Sequence, residues 1–325
     1  MGSEFDVVYT WVDGGNPKFR SEMHARLHDL SESPPPNSLR PGIFRDNGEL
    51  RYSLRSLEKF APWIHRVYIV TNGQSPSWLD PSNERVSVIP HDLIFTKRSD
   101  LPTFNSLAIE AHIHRIPDLS RKFLYFNDDV FLGRSVSMED FVTQAGGQYV
   151  YVDHALPAKI PEHWIDDRAQ AYTRGLIQEI CDRPISRMMP AHVPHLFDRD
   201  ILFRLEEIFS DQLQKTSSRR FRTPNDVSTP TLYSLYVSEF LGTEAGHQRR
   251  FLAPLALSGL HDYAMVMLNN QVWKMITFLC AVRMFQPRFF SVNDRLGEVS
   301  TSHLSLHCFR GLLQSYFPCS SSFER

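Results

Sequence analysis

Lys122 to Gly133 reads KFLYFNDDVFLG: a mostly apolar, aromatic run, then Asn127, Asp128 and Asp129, then apolar residues again. Phe and Tyr at this density predict a buried central strand. Two adjacent carboxylates are expelled from such a core unless they stand at the strand's end, because an unpaired buried charge is expensive and like charges repel. The pair is then either a turn of solvated aspartates or an acidic mouth that receives a divalent cation. In open α/β sheets that mouth, at the carboxyl ends of the strands, is where ligands bind. On this segment alone both readings stand.

Working outward, the first half alternates strand and helix signals. Asp6–Val12 (DVVYTWV) predicts a strand ending in the dense turn signal Asp13-Gly14-Gly15-Asn16-Pro17. Residues 31–41 hold four prolines and predict a loop. Glu49–Ala61 places Leu50, Leu54, Leu57 and Phe60 at helical spacing, with Asp46 or Asn47 as N-cap. Val67–Thr71 predicts a second buried strand broken at Asn72-Gly73, Val86–Ile89 a third, and Phe104–Arg115 a helix before the strand at Lys122–Asn127. This β-α-β-β-α-β order implies an α/β, mostly parallel sheet flanked by helices, with the loops after Val12, Thr71 and Asn127 on one rim. The second half reads as mainly helical: Ile201–Phe209 capped by Asp198 or Asp200, then Pro230–Leu241, Asp262–Phe278 and Ser302–Ser315. Phe289–Val292 is expected to return a strand to the sheet.

The 325 residues are 42% hydrophobic and 22% charged, an ordinary globular composition. With 35 basic and 37 acidic residues the net charge is −2, so no global field draws nucleic acid, and an anionic substrate must be held by local cations. Cys181, Cys280, Cys308 and Cys319 lie far apart without a Cys-x-x-Cys pair, which argues against a zinc ribbon or a disulfide scaffold. Free buried thiols are expected, with a Cys308–Cys319 bridge as the alternative. No run approaches the roughly 20 apolar residues of a membrane span; the nearest, 272–285, is interrupted by Lys274 and Arg283. Residues 1–5, Met-Gly-Ser-Glu-Phe, read as a cloning remnant.

Several groups of residues could carry chemistry. Trp11 near a strand end can stack on a base and Asp13 can bond a ribose, with Asp6 at the strand's other flank; a core Trp with turn aspartates is the plainer alternative. Arg51 and Arg55 share a helix face, and a cation in a helix's first turn is off-pattern unless an anion is held there or a salt bridge to Glu49 or Glu58 explains it. In MPAHVPH, Pro190 and Pro194 stiffen the backbone around His192 and His195; a His-x-x-His pair alone is a weak metal signal. SSRRFRTPND supplies Arg219, Arg220 and Arg222 in one loop, either as forks for phosphate or as a solvated charge run. Asn293-Asp294 after FFSV offers hard oxygens suited to Mg²⁺ or to a turn. There is no Gly-rich phosphate loop, Gly-x-Ser-x-Gly elbow or His-Glu-x-x-His helix, which argues against a P-loop enzyme, a serine hydrolase and a zincin.

Taken together, DVVYTWVDGGNP, DNGELRYSLRSLEKFAPWIHRVYIVTNGQSPSWL, LPTFNSLAIEAHIHRI and KFLYFNDDVF resemble the Stealth family. That family includes the animal GlcNAc-1-phosphotransferase α/β subunit and bacterial capsule polymerases. Its first block resembles Asp6–Pro17, its second Asp46–Gly133, its third Pro190 to about Glu239, and its fourth FFSVND at Phe289–Asp294 with the tail YFPCSSSFE. Only about 55 residues separate Gly133 from Pro190, so the animal enzyme's large insertions are absent, and the fourth block lacks the usual Cys before its Asn-Asp.

The resemblance implies a GT-A-like core over 6–150 that binds UDP-GlcNAc or a related UDP-hexose with Mg²⁺ or Mn²⁺, and a part over 151–325 that completes the site. It implies attack by a sugar hydroxyl of a mannose-containing glycan or capsule chain on the β-phosphorus, releasing UMP. Asp129, with Asp128, Asn293 and Asp294, is the implied metal set, Arg222 the phosphate clamp and His192 the general base. Asp6, Trp11, Asp13, Thr71, Asn72, His195 and Asp226 are implied in substrate binding, with Arg51 near the phosphates. A conventional glycosyltransferase releasing UDP and a non-catalytic nucleotide-sugar-binding relative are the rival readings. No nucleic-acid partner is expected, and a homodimer is left open. A eukaryotic member would work in the Golgi lumen, a bacterial one in the cytoplasm; the second block reads closer to the animal sequences.

Overall fold

The computed structural model describes residues 5–29, 33–253, 261–299 and 303–325. Residues 1–4 of the expected remnant and Ser302 of the expected last helix lie outside them. In chain order the strands are β1 Asp6–Thr10, β2 Val67–Thr71, β3 Val86–Pro90, β4 Lys122–Asn127, β5 Val130–Leu132 and β6 Tyr149–Ala155. They continue with β7 Met188–Pro190, β8 His195–Asp198, β9 Gln248–Phe251, β10 Tyr263–Leu268 and β11 Phe289–Asp294.

The central sheet has the order β3-β2-β1-β4-β8. Its first four strands are the four predicted ones, all parallel, and β8 closes the edge antiparallel to β4. Side chains alternate between two cores. Val8, Tyr68, Val70, Phe123 and Tyr125 face one, and Val7, Tyr9, Ile69, Leu124 and Phe126 the other. Both faces are covered, which is why these strands read as continuous apolar runs rather than alternating ones.

KFLYFNDDVFLG is two strands and a corner. β4 ends at Asn127, Asp128 and Asp129 turn the chain, and β5 joins a second sheet of order β10-β11-β5. The Val292 N–H donates to the Asp129 carbonyl at 3.0 Å, which ties the corner to β11. The third sheet has the order β7-β6-β9.

Several expectations are corrected. The helix Glu49–Phe60 is capped by Gly48 in the left-handed conformation (φ 90°), not by Asp46 or Asn47; Asp46 instead accepts the Gly48 N–H at 2.8 Å. The expected helix Phe104–Arg115 is a helix over Ser106–Glu110, capped by Asn105, then a 3-10 turn over Ile113–Arg115. The expected helix Asp262–Phe278 splits into β10 and the helix Val272–Phe285, because YAMVML is a buried strand against β11 and the Asn269-Asn270 turn restarts the chain. β11 forms where a returning strand was expected, but in the second sheet. The second half is thus less helical than its composition implied. β6 runs across 150/151, and β8 carries the second half into the central sheet. All four cysteines are free, and Cys280 and Cys319 are exposed rather than buried. Among the described residues no helix is long and apolar enough to cross a membrane.

Candidate active site

A cleft of about 550 Å³ opens at the carboxyl edge of the central sheet. Asn127 reaches it from the end of β4 and Asp128 and Asp129 from the corner after it, His192 from the β7–β8 connection, His195 from the start of β8, and Arg222 from the arginine loop. Asn293 and Asp294 reach it from the end of β11. These groups are 63 to 165 positions apart in sequence in the pairs His192–Asp129 and Asp294–Asp129, and the sheet order brings them together.

His192 Nε2 lies 2.8 Å from Asp129 Oδ1, with both side chains about one-third exposed (34% and 30%). Burial alone would depress this imidazole, but the charge and hydrogen bond of Asp129, with Asp153 and Glu110 behind, hold its pKa above the ordinary histidine value. His195 is pushed down to about 3 by burial and by neighbouring His192, so it is a neutral ring at working pH. Asp128 is raised well above the carboxylate range by burial, then by Asp129, Glu49 and Asp46. Glu49, also lining the cleft, is raised to about 8 by burial despite its bonds from Asn47.

Arg222 Nη1 pairs with Asp166 Oδ1 at 3.1 Å, and its Nη2 donates to Ser106 Oγ at 2.7 Å. Arg40 reaches the same Asp166 at 3.7 Å, and Arg45 Nη1 pairs with Asp294 Oδ2 at 2.6 Å. Gly42 allows this arginine-bearing segment to lie on β11: a Cβ there would meet the Asp294 carbonyl oxygen at 2.3 Å.

Not every expected residue reaches the cleft. Asp6 begins β1 and so stands at the opposite, amino end of the sheet. It is 1% exposed and accepts the Arg66 and Ser120 N–H groups at 3.1 and 2.8 Å, with His65 Nδ1 at 3.2 Å. Trp11 is a core residue at 7% exposure, not an open stacking face. Asp13 accepts the Gly15 N–H at 2.8 Å, and Thr71 Oγ1 donates to the Gln74 carbonyl at 2.8 Å; these residues and Asn72 shape turns and do not line the cleft. Arg51 is committed to Glu324 at 2.5 Å, a salt bridge to neither Glu49 nor Glu58. Asp226, fully buried, organises the arginine loop by accepting from Asn105, Arg219 and Thr223.

The structure adds residues that sequence reasoning missed: Glu49, Glu110, Arg40, Arg45, Ser106 and Asp166. Glu110 had a signal, being the lone acid in the apolar run Leu107-Ala-Ile-Glu-Ala; the others look like ordinary surface polar residues in the sequence.

A divalent cation suits the donor types here: burial, and for Asp128 the neighbouring carboxylates, push the Asp128 and Glu49 pKa values up, a cost that a bound cation would offset. Among the described residues, however, no three His, Cys, Asp or Glu side chains gather closely enough to hold a metal by themselves. Asp294 also already has its countercharge in Arg45. The fit is therefore to an ion that takes one or two carboxylates and completes its shell with water and phosphate oxygens, as Mg²⁺ does.

The fold and cleft together define an α/β protein that presents acids, an imidazole and arginines to a polar ligand across the carboxyl edge of a parallel sheet. Family models match three stretches: Stealth protein conserved region 1 over 4–31, conserved region 2 over 43–150 and conserved region 3 over 191–239. The chain belongs to the Stealth family. An exopolysaccharide phosphotransferase of Streptomyces coelicolor is 34% identical over 98% of this chain and 52% of its own length. The N-acetylglucosamine-1-phosphotransferase subunits alpha/beta of Homo sapiens are 48% identical over 43% of this chain and 12% of their length. The chain thus spans about half, or less, of these relatives. Among solved structures, the galactosyltransferase LgtC with donor and acceptor sugar analogues aligns over 96% of both chains, at TM-score 0.42 and 11% identity. That likeness is too distant to bear on substrate or mechanism.

Proposed function

We propose that this chain moves a hexose 1-phosphate, GlcNAc-1-phosphate first among them, from a UDP-sugar to a sugar hydroxyl and releases UMP. The observation that carries the reading is the convergence of Asp128-Asp129, His192 and Arg222 on one cleft. The names of the relatives, exopolysaccharide phosphotransferase and GlcNAc-1-phosphotransferase, support the same chemistry.

Phosphoryl transfer asks mainly for in-line positioning and charge neutralisation. Arg222 spends one N–H of each terminal nitrogen on Asp166 and Ser106, which fix its plane, and keeps the other terminal N–H of each for the substrate phosphate. Those donors hold the transferring phosphate. His192 accepts the proton of the attacking hydroxyl; its bond to Asp129 sets the ring's orientation and steadies the imidazolium that results. His195, held neutral, adds no competing charge beside it. Asp129, with Asp128, would hold a Mg²⁺ or Mn²⁺ ion, which when bound neutralises the pyrophosphate and eases departure of UMP. The acceptor is a mannose-containing glycan or a capsule-type chain.

The test is product analysis. Incubation with UDP-GlcNAc, Mg²⁺ and simple mannosides is expected to yield UMP and a phosphodiester-linked disaccharide. Release of UDP with a plain glycoside would make the chain a conventional glycosyltransferase, and donor binding without turnover a non-catalytic relative.

A further inference from the structure

Among the described residues, three buried polar atoms of cleft-lining side chains lack a partner: Gln170 Oε1, and the charged pair Glu110 Oε2 and Arg222 Nε. Glu110 is 5% exposed and does not sit loosely. The Tyr125 hydroxyl donates to its Oε1 at 3.2 Å, and the same hydroxyl is held by Thr10 Oγ1 at 2.9 Å and by Asn127 Nδ2 at 3.2 Å. The carboxyl plane is therefore fixed from the floor of the sheet, with Oε2 left over. Arg222 is likewise fixed by Asp166 and Ser106 through its two terminal nitrogens, with the inner N–H left over. Burial raises the Glu110 pKa to about 7, and the Arg222 charge is the strongest influence pulling it back, which places the two groups in each other's field.

An unmet buried donor or acceptor is costly, and more so when it is charged, so the pair calls for a ligand group that satisfies both. An unmet acceptor and an unmet donor on two residues that line the same cleft are complementary to a group that donates and accepts at once. A hydroxyl is the smallest such group. A phosphate oxygen would suit Arg222 but be repelled by an ionised Glu110.

We propose that Glu110 Oε2 and Arg222 Nε–H form a subsite for one sugar hydroxyl, which donates to the carboxylate and accepts from the guanidinium, making Glu110 a specificity-determining residue. The inference rests on the reading of the cleft as a sugar-phosphate site, and its ligand chemistry, a sugar hydroxyl, has two sources: the donor hexose or the acceptor glycan.

Calorimetric binding to the whole chain separates them. The ligands are UDP-GlcNAc and its monodeoxy analogues, and methyl mannoside and its monodeoxy analogues, each titrated into the parent, Glu110→Gln and Glu110→Ala. The Gln variant keeps the shape and the Tyr125 bond, so an unchanged melting temperature certifies the fold. One analogue is expected to lose roughly 10–100-fold in affinity for the parent, the range of a charge-assisted hydrogen bond, and to lose almost nothing for either variant. That analogue names the hydroxyl, and its series names the source. The inference is overturned if every deoxy analogue loses the same factor in parent and variants, if the parent binds none of these sugars, or if Glu110→Gln weakens UMP as much as it weakens UDP-GlcNAc. The last result would mean a phosphate or nucleotide contact. Coupling between Glu110 and a hydroxyl without UMP release in turnover would refute the proposed reaction and leave the subsite standing; UMP release without coupling would do the reverse.

Discussion

Arg51 is the sharpest case, because sequence reasoning put it beside the phosphates and the structure commits it to a buried clasp. Glu324 is 1% exposed in its side chain and takes Arg55 Nε at 2.6 Å through Oε1 and Arg55 Nη2 at 2.8 Å through Oε2. Arg51 Nε adds a bond at 2.5 Å, and the Ser321 N–H another at 2.9 Å. Burial would raise this carboxyl, but Arg55, Ser321 and Arg51 bring its pKa down from 4.5 to about 2. At about 1.4 kcal/mol per pH unit that fall corresponds to a ceiling of roughly 3 kcal/mol, discounted to about 2 because Arg51 is one-third exposed (36%) and solvent-screened. The folded-state pKa is depressed, so the stabilisation is complete above the unfolded value of 4.5 and disappears as pH falls toward about 2. Glu324→Gln should therefore melt about 3 °C below the parent at pH 7, from the entropy of unfolding of a chain this size. The gap should narrow steadily below about pH 4.5. Arg51→Ala should cost about 1 kcal/mol and leave the KM for UDP-GlcNAc unchanged. Differential scanning calorimetry across pH, with donor kinetics on both variants, checks this. An Arg51→Ala protein of parental stability with a tenfold higher donor KM would refute the clasp and restore Arg51 to the phosphates.

His192→Ala should lower transfer by roughly 10²–10⁴-fold, the usual range for a general base, while UDP-GlcNAc affinity stays within a few-fold; loss of donor binding in a normally folded variant would make His192 a ligand instead. Asp129→Asn should shift the Mg²⁺ concentration needed for half-maximal donor binding upward, and full activity in EDTA would remove the metal from the scheme. Phe290→Ala, at a fully buried ring stacked on Phe131 at 4.7 Å, should destabilise by about 3–5 kcal/mol. Urea unfolding reads that value directly, and a loss under about 1 kcal/mol would mean the second sheet repacks freely around the hole.

The four parallel strands were legible because each is a short, dense apolar run between turn signals, and that pattern needs no knowledge of distant residues. The helix at Glu49–Phe60 was legible for the same reason, since its buried residues Leu50, Leu54 and Leu57 recur with the helical period. Asp262–Phe278 reads as one helix because the mostly apolar runs YAMVML and VWKMITFLC carry little period to separate strand from helix, and only the short polar break Asn269-Asn270-Gln271 marks the turn between them. Local oddity marked the segments, with prolines around two histidines, three arginines in one loop and two acids after a core strand, and the family resemblance singled out His192, Arg222 and Asp129 within them. Asp6, Asp226 and Arg51, which the resemblance also implied, lie outside the cleft, because a sequence block does not say which end of the sheet a residue occupies or which partner has already claimed it.

The sequence by itself determined that the chain is an α/β protein with a mostly parallel sheet and that an acid pair ends one central strand, since periodicity and the cost of buried charge are local properties. Only the tertiary structure decided that Asp128 and Asp129 form the corner between two sheets. It also decided that Asp129 meets His192 at 2.8 Å and that Glu110 and Arg222 each keep an unmet polar atom in the same cleft. Those facts depend on strand order and on which distant side chain reaches a carboxylate first, and neither is written in the spacing of residues along the chain.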